Sequence, residues 1–451
     1  MTAPEVSLRT KLLYGSGEVT VSAKNTALNQ FLLFFYADVV QLSPTLVSLA
    51  IFVAKLWDAV TDPAMGYVSD TTRSRWGRRR PYLAVSAVPL GICFALLFRP
   101  PAAGPLGLFV YLLVIYSLLN TFFTVFATPY IAWGAELAQD YHERTTVVQI
   151  RSLFGVLGGV IGATAPVAIA KLFTDQRLGF GAMGVVLGAV MAAAALVTAW
   201  GVAERRRGQP AVPSLAHFVK GLRHTFRNRD FRVVFVTFCV MTMAVSLGQA
   251  IQLIVVKYWL HMYDLFPVIA LTFALSFAAS FPLWLRLSQR IGKRRALLSG
   301  LALASVTPLG WVIVQPGQIA AMLIFMLVAG AVSGSVTLVM SSAADIVDFD
   351  ELETGERRAG AYFGIWTLGL KVMSALGILL SGGLLQIAGY TPNQVQDPAT
   401  MWWLVMLVGP LQSAVYIFGL VMFRKFRFEA ADVARVQAEL QARREAAAVP
   451  R

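Results

Sequence analysis

The sequence has few charged residues, few histidines and almost no cysteine. Of its 451 residues, 14% are Asp, Glu, Lys or Arg, four are His and two are Cys. Cys93 and Cys239 both fall inside apolar runs, so we expect no structural disulfide between them. The histidines are scattered and show no zinc-ligand spacing. So little charge argues against an ordinary soluble domain.

Apolar residues make up 57% of the chain and form many runs of 18 or more. A helix of that length crosses a bilayer, so the sequence predicts an all-α membrane protein with twelve transmembrane helices. The predicted spans are 12–37, 45–68, 82–99, 107–137, 149–172, 179–202, 232–258, 264–287, 297–314, 318–346, 361–388 and 400–423.

Basic residues outnumber acidic ones, 38 to 24, and they gather in alternate loops. The loops at 73–80, 204–232, 290–295 and 424–427 are basic, whereas 39–44, 100–106 and 388–400 carry almost no Lys or Arg. This positive-inside pattern predicts a multi-pass protein of the inner (plasma) membrane with both termini in the cytoplasm. It accounts for the basic balance without a nucleic acid partner, and the anionic membrane lipids of the inner leaflet add attraction for the same loops.

Two loops of the sequence repeat one pattern. Gly77 precedes Arg78-Arg79-Arg80, and Gly292 precedes Lys293-Arg294-Arg295 at the same point six helices later. The pattern predicts two six-helix halves, 1–203 and 232–425, joined by the connection 204–231 and followed by a tail helix in 426–451. The alternative is that any short cytoplasmic loop is basic.

Asp58 and Asp62 lie one helical turn apart inside an apolar run. A carboxylate at bilayer depth marks an ion or proton path, and two anions on one helix face need a cation or a shared proton. The matching positions of the second half are Phe273 and Phe277, so the pair is private to the first half. The alternative is a structural ion pair with Lys55 or Lys371.

Other polar residues inside the spans favour a lined cavity. In span 1, Glu18, Ser22, Asn25 and Asn29 share one helix face, although polar helix packing explains such a stripe as well. Lys24 lies off this stripe. The sequence does not decide whether its side chain pairs with an acid or extends to the membrane interface. Span 4 carries Thr121, Thr124 and Thr128 before Pro129.

Two basic residues complete the set of inward candidates. Lys371 lies deep in an apolar stretch, where a lysine must find an anion or lose its proton, and Asp58 or Asp62 is the expected partner. Arg151 is near the start of span 5. The loops 140–144 and 347–360 mix acids and bases, which suits either salt bridges with the basic loops or plain solvation.

Several spaced motifs together resemble the glycoside–pentoside–hexuronide:cation symporters, a branch of the major facilitator fold. The motifs are Tyr14-Gly15-Ser16-Gly17, Asp38-Val39-Val40, Trp57-Asp58, Asp62-Pro63, Thr72-Arg73-Ser74-Arg75-Trp76-Gly77-Arg78, Glu143-Arg144 and Lys371.

The resemblance implies roles for particular residues. It implies a cation site of Asp58, Asp62, Thr61 and Thr124, and a coupling lysine at Lys371. It implies a substrate side of Glu18, Ser22, Asn25, Ala127, Ile131 and Arg151. It implies gating loops that contain Arg73, Arg75, Arg78, Glu143 and Arg144.

The substrate side departs from the melibiose permease of that family. Ser22 and Ala127 stand where that permease has sugar-binding aspartates, and Ile131 stands at its stacking tryptophan. Sugar hydroxyls lose water on binding and need strong acceptors, of which Glu18 offers one. A lysophospholipid or another amphiphile is therefore an alternative substrate, since the vertebrate lysophospholipid symporters of the same group also have a less acidic pocket.

The sequence as a whole predicts a transporter and not an enzyme. We expect a Na⁺- or H⁺-coupled symporter of a small organic solute, by resemblance a sugar or glycoside, that works as a monomer by alternating access without a cofactor. A channel would need a repeated filter. A membrane-embedded enzyme would need intramembrane His or Ser groups, and both remain remote alternatives.

Overall fold

The structure, a computed structural model, describes residues 6–138, 141–203, 225–355, 358–426 and 430–448. Most of the predicted basic connection, residues 204–224, and the last residues of the tail lie outside these ranges. Within them the chain forms a succession of helices joined by short turns, as the sequence predicts.

The first six helices correspond to the first six predicted spans. Helix α1 is built from Leu8–Gly15 and Gly17–Phe34 and continues into a π-helical turn, Phe35–Val39. The next five are α2 (Pro44–Thr71), α3 (Arg80–Leu97), α4 (Pro105–Leu137), α5 (Tyr141–Ala170) and α6 (Gln176–Gly201).

The second six spans are helices as well, some with 3₁₀ turns inside them. They are α7 (Arg229–Tyr258), α8 (Phe266–Ile291), α9 (Lys293–Val306, Thr307–Leu309, Gly310–Ile313), α10 (Ile319–Ser333, Gly334–Val336, Thr337–Thr354), α11 (Ala359–Ile387) and α12 (Pro398–Val408, Pro410–Phe423). The predicted tail helix is α13, Ala430–Ala448.

Among the described residues, eleven helices, α2 to α12, are long and apolar enough to cross a membrane. Helix α1 falls short in composition because Glu18, Lys24, Asn25 and Asn29 interrupt its apolar residues. Polar side chains in a spanning helix are stable where other helices or a watery cavity cover them. The polar residues of α1 therefore indicate that other helices or a watery cavity cover this helix.

The chain forms two compact units. Unit 1 consists of the described residues of Met1–Val212 with Ser246–Ala274 and Ile378–Leu404. Unit 2 consists of the described residues of Pro213–Val245 with Leu275–Gly377 and Val405–Arg451.

Glycines bring helices of unit 1 into close contact. A Cβ atom on Gly162 of α5 would lie 2.6 Å from the carbonyl oxygen of Ala23 on α1. A Cβ atom on Gly91 of α3 would lie 2.5 Å from the carbonyl oxygen of Gly188 on α6. Small residues of this kind let helix backbones approach in a membrane, where van der Waals packing stabilises helix pairs. The first contact holds α1 closely against α5, and the second holds α3 closely against α6.

The core of unit 2 is aromatic and aliphatic. Phe231 of α7 packs edge-on against Tyr362 of α11, and Phe238 stacks on Trp366 at 5.0 Å between ring centroids. The tail helix α13 packs on α10 through Val436 and Leu440, which are buried. The predicted tail helix is therefore anchored to this unit by an apolar face.

The two repeated loops have the same local structure. Gly77 and Gly292 both have positive φ, +106° and +85°, which a residue with a side chain rarely adopts. After Gly77, Arg80 donates to the carbonyl of Ala199 at the end of α6. After Gly292, Arg294 donates to the carbonyl of Phe426, just beyond α12. The sequence repeat therefore reflects one folding pattern used twice.

Candidate cation and substrate site

The two aspartates of α2 meet a threonine of α4. The Oγ1 atom of Thr124 lies 2.8 Å from Oδ1 of Asp58 and 2.8 Å from Oδ1 of Asp62. Asp58 and Thr124 are buried, and Asp62 is half-buried. Since the aspartates are one turn apart on α2, a single side chain of the adjacent helix reaches both.

The hydroxyl of Thr124 has one hydrogen, so it donates to only one of the two carboxylates. The second short contact joins two oxygens and needs a proton on one of them or a cation between them. Two carboxylates and a hydroxyl are hard oxygen ligands that suit such a cation. The three side chains therefore have the chemistry of a site for one small cation or a proton.

Two neighbours on α2 add backbone oxygens near this group. The hydroxyl of Thr61 donates to the carbonyl of Asp58 at 3.2 Å. Pro63 lies inside α2 and has no N–H. It therefore cannot donate the helical hydrogen bond to the carbonyl of Ala59, one turn earlier. Backbone oxygens of this kind are further potential ligands for a cation.

The side chain of Lys24, whose partner the sequence leaves open, extends from α1 to α4. It is 4% exposed, and its Nζ donates to Oδ1 of Asn120 at 2.9 Å. The same Nζ lies 3.8 Å from the centroid of the Phe123 ring. Asn120 in turn donates to the carbonyl of Ala54 on α2 at 3.1 Å. The ammonium is therefore buried among α1, α2 and α4.

A second lysine belongs to the same region. Lys55, on α2, donates to Oδ1 of Asn29 on α1 at 3.1 Å. Trp57 on α2 donates from its indole nitrogen to Thr121 on α4 at 2.9 Å. These bonds connect α2 to α1 and to α4 near the acidic pair.

The polar stripe of α1 includes an ion pair with α5. Nε of Arg151 lies 3.4 Å from Oε2 of Glu18, and the two side chains keep 30% and 17% of their surface exposed. Ser22, one turn along, is half-buried against Gly155 and Gly158 of α5. Asn25 is exposed. The structure thus brings Glu18 and Arg151 together and leaves part of both accessible.

Two tyrosines hold α1 to α4 beside this pair. The hydroxyl of Tyr14 donates to the carbonyl of Tyr130 at 3.1 Å, and the hydroxyl of Tyr130 donates to the carbonyl of Tyr14 at 3.2 Å. Their rings stack at 4.7 Å between centroids. Of the other substrate-side candidates on α4, Ala127 is buried and Ile131 is 52% exposed.

The predicted gating loops contain ion pairs that the sequence did not identify in full. Arg78 pairs with Glu136 of α4 at 2.7 Å. Arg79 belongs to the repeated basic triplet but was not among the predicted gating residues. It is the most buried of these arginines and pairs with Asp70 at 2.6 Å and Glu136 at 2.8 Å. Arg73 and Arg75 are exposed.

The other loop candidates lie at the start of α5. Glu143 accepts a hydrogen bond from the backbone N–H of Val6 at 2.7 Å and pairs with Lys11 at 3.6 Å. Arg144 is exposed. Glu143 therefore connects α5 to the beginning of α1.

Lys371 belongs to unit 2. It lies on α11 and is half-buried. Its pairing with Asp58 or Asp62 stays a prediction.

Asp38 is a buried charge to which sequence reasoning gave no role. Its carboxylate accepts hydrogen bonds from the hydroxyls of Tyr258 (2.7 Å) and Tyr390 and from the N–H of Asn393 (2.9 Å), and it pairs with Lys257 at 2.6 Å. Burial and the nearby Asp38 carboxylate raise the pKa of the Tyr390 hydroxyl, which stays a donor at physiological pH. An acidic residue at the end of an apolar run was the available signal.

Known proteins resemble this chain along almost its whole length. The putative glycoside/cation symporter YagG of Escherichia coli is 26% identical, with 97% of this chain and 95% of YagG covered. The sodium-dependent lysophosphatidylcholine symporter 1-A of Danio rerio is also 26% identical, over 92% of this chain and 85% of its own length. The isoprimeverose transporter of Lactiplantibacillus pentosus is 24% identical, with 85% and 81% covered.

Solved structures show the same fold at low sequence identity. The nucleoside transporter NupG superposes with a TM-score of 0.64 at 15% identity, covering 93% of this chain and 99% of NupG. A family described as MFS/sugar transport protein matches residues 13–430. The chain therefore belongs to the MFS/sugar transport protein family and is a membrane transporter of the major facilitator type, not an enzyme.

Proposed function

We propose that the protein is a cation-coupled secondary symporter of a small organic solute, a sugar or glycoside, that works by alternating access. Relatives that match 85–97% of the chain are named putative glycoside/cation symporter, isoprimeverose transporter and sodium-dependent lysophosphatidylcholine symporter. The coupling ion is Na⁺ or H⁺, and no further cofactor takes part.

The contact of Thr124 with both aspartates carries the proposal. Three oxygens from α2 and α4 converge, 2.8 Å from carboxylate to hydroxyl, with only one hydrogen among them if both acids are ionised. A bound cation or proton resolves the repulsion between the carboxylates. The ligand set is Asp58, Asp62 and Thr124, with Thr61 beside it.

Transport requires that ion and substrate affect each other's binding. In the proposed cycle the cation offsets the charge of Asp58 and Asp62, and Lys371 is the residue that couples this change to substrate binding. By linkage, the substrate must tighten cation binding by the same factor as the cation tightens substrate binding. This coupling lets a cation gradient drive uptake.

The proposed substrate side contains one donor and one acceptor that already meet. Glu18 accepts and Arg151 donates, and both are partly exposed, so the hydroxyls of a sugar can replace part of their ion pair. Ser22 and Asn25 add polar groups on the same face of α1, and Ala127 and Ile131 add apolar surface from α4. Such a mixed lining suits a small solute with hydroxyls and an apolar part.

An amphiphile is the second candidate. The 52% exposed side chain of Ile131 gives α4 an apolar surface near the polar stripe. An apolar surface next to a charged pair suits a molecule with a polar head and an acyl chain. The lysophosphatidylcholine symporter of Danio rerio, 26% identical, transports a molecule of that kind by its name.

The proposed setting is the cell inner membrane, with both termini in the cytoplasm and the protein acting as a monomer. The exposed arginines Arg73 and Arg75 suit the anionic lipids of the inner leaflet, and no nucleic acid is involved. Arg78, Glu143 and Arg144 belong to the loops that we propose change partners during the cycle.

Uptake into proteoliposomes tests the cation assignment. Asp58→Asn and Asp62→Asn should each abolish uptake driven by a Na⁺ or H⁺ gradient, with a melting temperature close to that of the wild type. The exposed acid Asp175, at the start of α6, provides the matched control, Asp175→Asn, which should keep full uptake. Full gradient-driven uptake by both single mutants would refute the site.

A further inference from the structure

Lys24 is a charge in the coupling region that the proposed cycle does not use. The residue is 4% exposed, and its ammonium donates to the amide oxygen of Asn120 and lies over the ring of Phe123. Moving an ammonium out of water is costly, so a transporter that keeps one buried beside its ion site gains something from the charge.

The contacts of Asn120 fix where the ammonium lies relative to the acidic pair. Asn120 reaches the backbone of Ala54, and Thr124 reaches Asp58. Ala54 is one turn before Asp58 on α2, and Asn120 is one turn before Thr124 on α4. The two contacts are thus successive layers of the same helix pair, separated by about 6 Å, the rise of four helical residues.

A fixed positive charge in the layer next to the two carboxylates acts on the site. The two carboxylates together have a charge of −2 when ionised, and the ammonium of Lys24 reduces the local sum to −1. Inside a protein, unit charges several Å apart interact by a few kcal/mol, with an effective dielectric constant of about 20. Lys55, bonded to Asn29 on the same side, is less buried and is therefore screened more by water.

We propose that the ammonium of Lys24 is a fixed positive charge beside the cation site of Asp58, Asp62 and Thr124, and that it weakens the binding of the transported cation. The inference rests on the proposed function of Asp58 and Asp62. The fixed ammonium offsets part of the negative charge of the two carboxylates and keeps the transported ion weakly held, so that it can leave during each cycle. Lys24 thereby acts as an affinity-setting residue without being a ligand.

A change of charge at constant shape tests the proposal. Lys24→Met removes the charge and keeps a long unbranched side chain, whereas Lys24→Arg keeps the charge. The purified full-length protein is titrated with NaCl at fixed pH and constant ionic strength, with choline chloride as the balance. The apparent Na⁺ dissociation constant is read from the shift in melting temperature.

Lys24→Met should bind Na⁺ at least about tenfold more tightly than the wild type, because removing a nearby positive charge favours a cation by more than 1.4 kcal/mol. Lys24→Arg should stay near the wild type. Lys11→Met, a change on the same helix at the far side of Glu18, should leave Na⁺ affinity unchanged. Unchanged or weaker Na⁺ binding by a folded Lys24→Met protein would overturn the proposal.

The acidic pair is tested in the same titration. Adding Asp58→Asn to Lys24→Met should remove the gained Na⁺ binding. If the gain persists without Asp58, the cation site itself is misplaced, and the proposed function and the role of Lys24 both fail. If the gain is absent while Asp58→Asn still abolishes uptake, only the role of Lys24 fails.

Discussion

Asp38 and Lys257 form an ion pair of 2.6 Å although 219 residues separate them in the chain. Asp38 ends α1 in a π-helical turn, and Lys257 ends α7. The carboxylate is 1% exposed and accepts further bonds from Tyr258, Tyr390 and Asn393. One side chain therefore joins three distant segments of unit 1.

We expect Lys257→Met to destabilise the protein strongly. The substitution leaves the buried carboxylate of Asp38 without its counter-charge, and breaking a buried ion pair in this way costs about 3–5 kcal/mol. The measurement is the melting temperature or the denaturant midpoint of the purified protein in detergent.

The double variant Asp38→Asn/Lys257→Met is the control for this prediction. It removes both charges and keeps similar shapes, so it should recover a large part of the lost stability. If the double variant is as unstable as the sum of the two single variants, the ion pair has no net coupling and the prediction is wrong.

Two neighbouring glycines of α5 should respond to alanine in opposite ways. A Cβ on Gly162 would meet the Ala23 backbone at 2.6 Å, whereas a Cβ on Gly159 would have Thr26 Oγ1 at 3.8 Å as its nearest neighbour. Gly162→Ala should therefore destabilise the protein by about 1–3 kcal/mol through overpacking. Gly159→Ala should be neutral or stabilise it by up to about 1 kcal/mol through helix propensity. Melting temperatures of the two variants, compared side by side, check this difference.

Much of the fold could be predicted because the signals are local. Each span is an apolar run of sufficient length, and the Gly77 and Gly292 loops are recognisable by a glycine before basic residues. The same-face placement of Asp58 and Asp62 follows from helical periodicity alone. Each of these signals lies within a single span or a single loop.

The partners of the buried charges could not be predicted in this way. Lys24 bonds to Asn120, 96 residues later, and Asp38 to Tyr390, 352 residues later. Such pairs depend on how helices rotate about their axes and how closely glycines let them approach, which hydropathy does not encode. The sequence could mark these charges as unusual without saying what they contact.

Galactosides of the melibiose type should bind poorly. By the resemblance to the melibiose permease, Ser22 and Ala127 stand where such a sugar would meet carboxylate acceptors, and Ser22 is packed against glycines of α5. Each sugar hydroxyl left without an acceptor costs about 1–3 kcal/mol of binding free energy. A thermal-shift screen of sugars, glycosides and lysolipids, with and without Na⁺, checks this. Clear galactoside binding at millimolar concentration would contradict the expectation.

Lys371→Ala should separate coupling from substrate exchange. If the ammonium of Lys371 couples the ion to the substrate, its removal should abolish gradient-driven uptake. Substrate counterflow, which needs no net ion movement, should be retained. Both assays are run on the same proteoliposomes, so that protein amount and orientation cancel. Loss of both activities, or of neither, would count against the coupling role.

Thr124 offers the sharpest test of the cation ligands because two conservative substitutions differ in one group. Thr124→Ser keeps the hydroxyl that lies 2.8 Å from Asp58 and Asp62, and Thr124→Val replaces it with a methyl group of similar size. A lost hydrogen bond to a charged group is worth about 1.5–3 kcal/mol, so Thr124→Val should weaken cation activation of uptake by about tenfold or more. Thr124→Ser should stay within a few-fold of the wild type. The measurement is initial uptake rate against cation concentration at saturating substrate. Equal cation dependence in the Val and Ser variants would show that the hydroxyl is not a ligand and that the aspartates hold the cation without it.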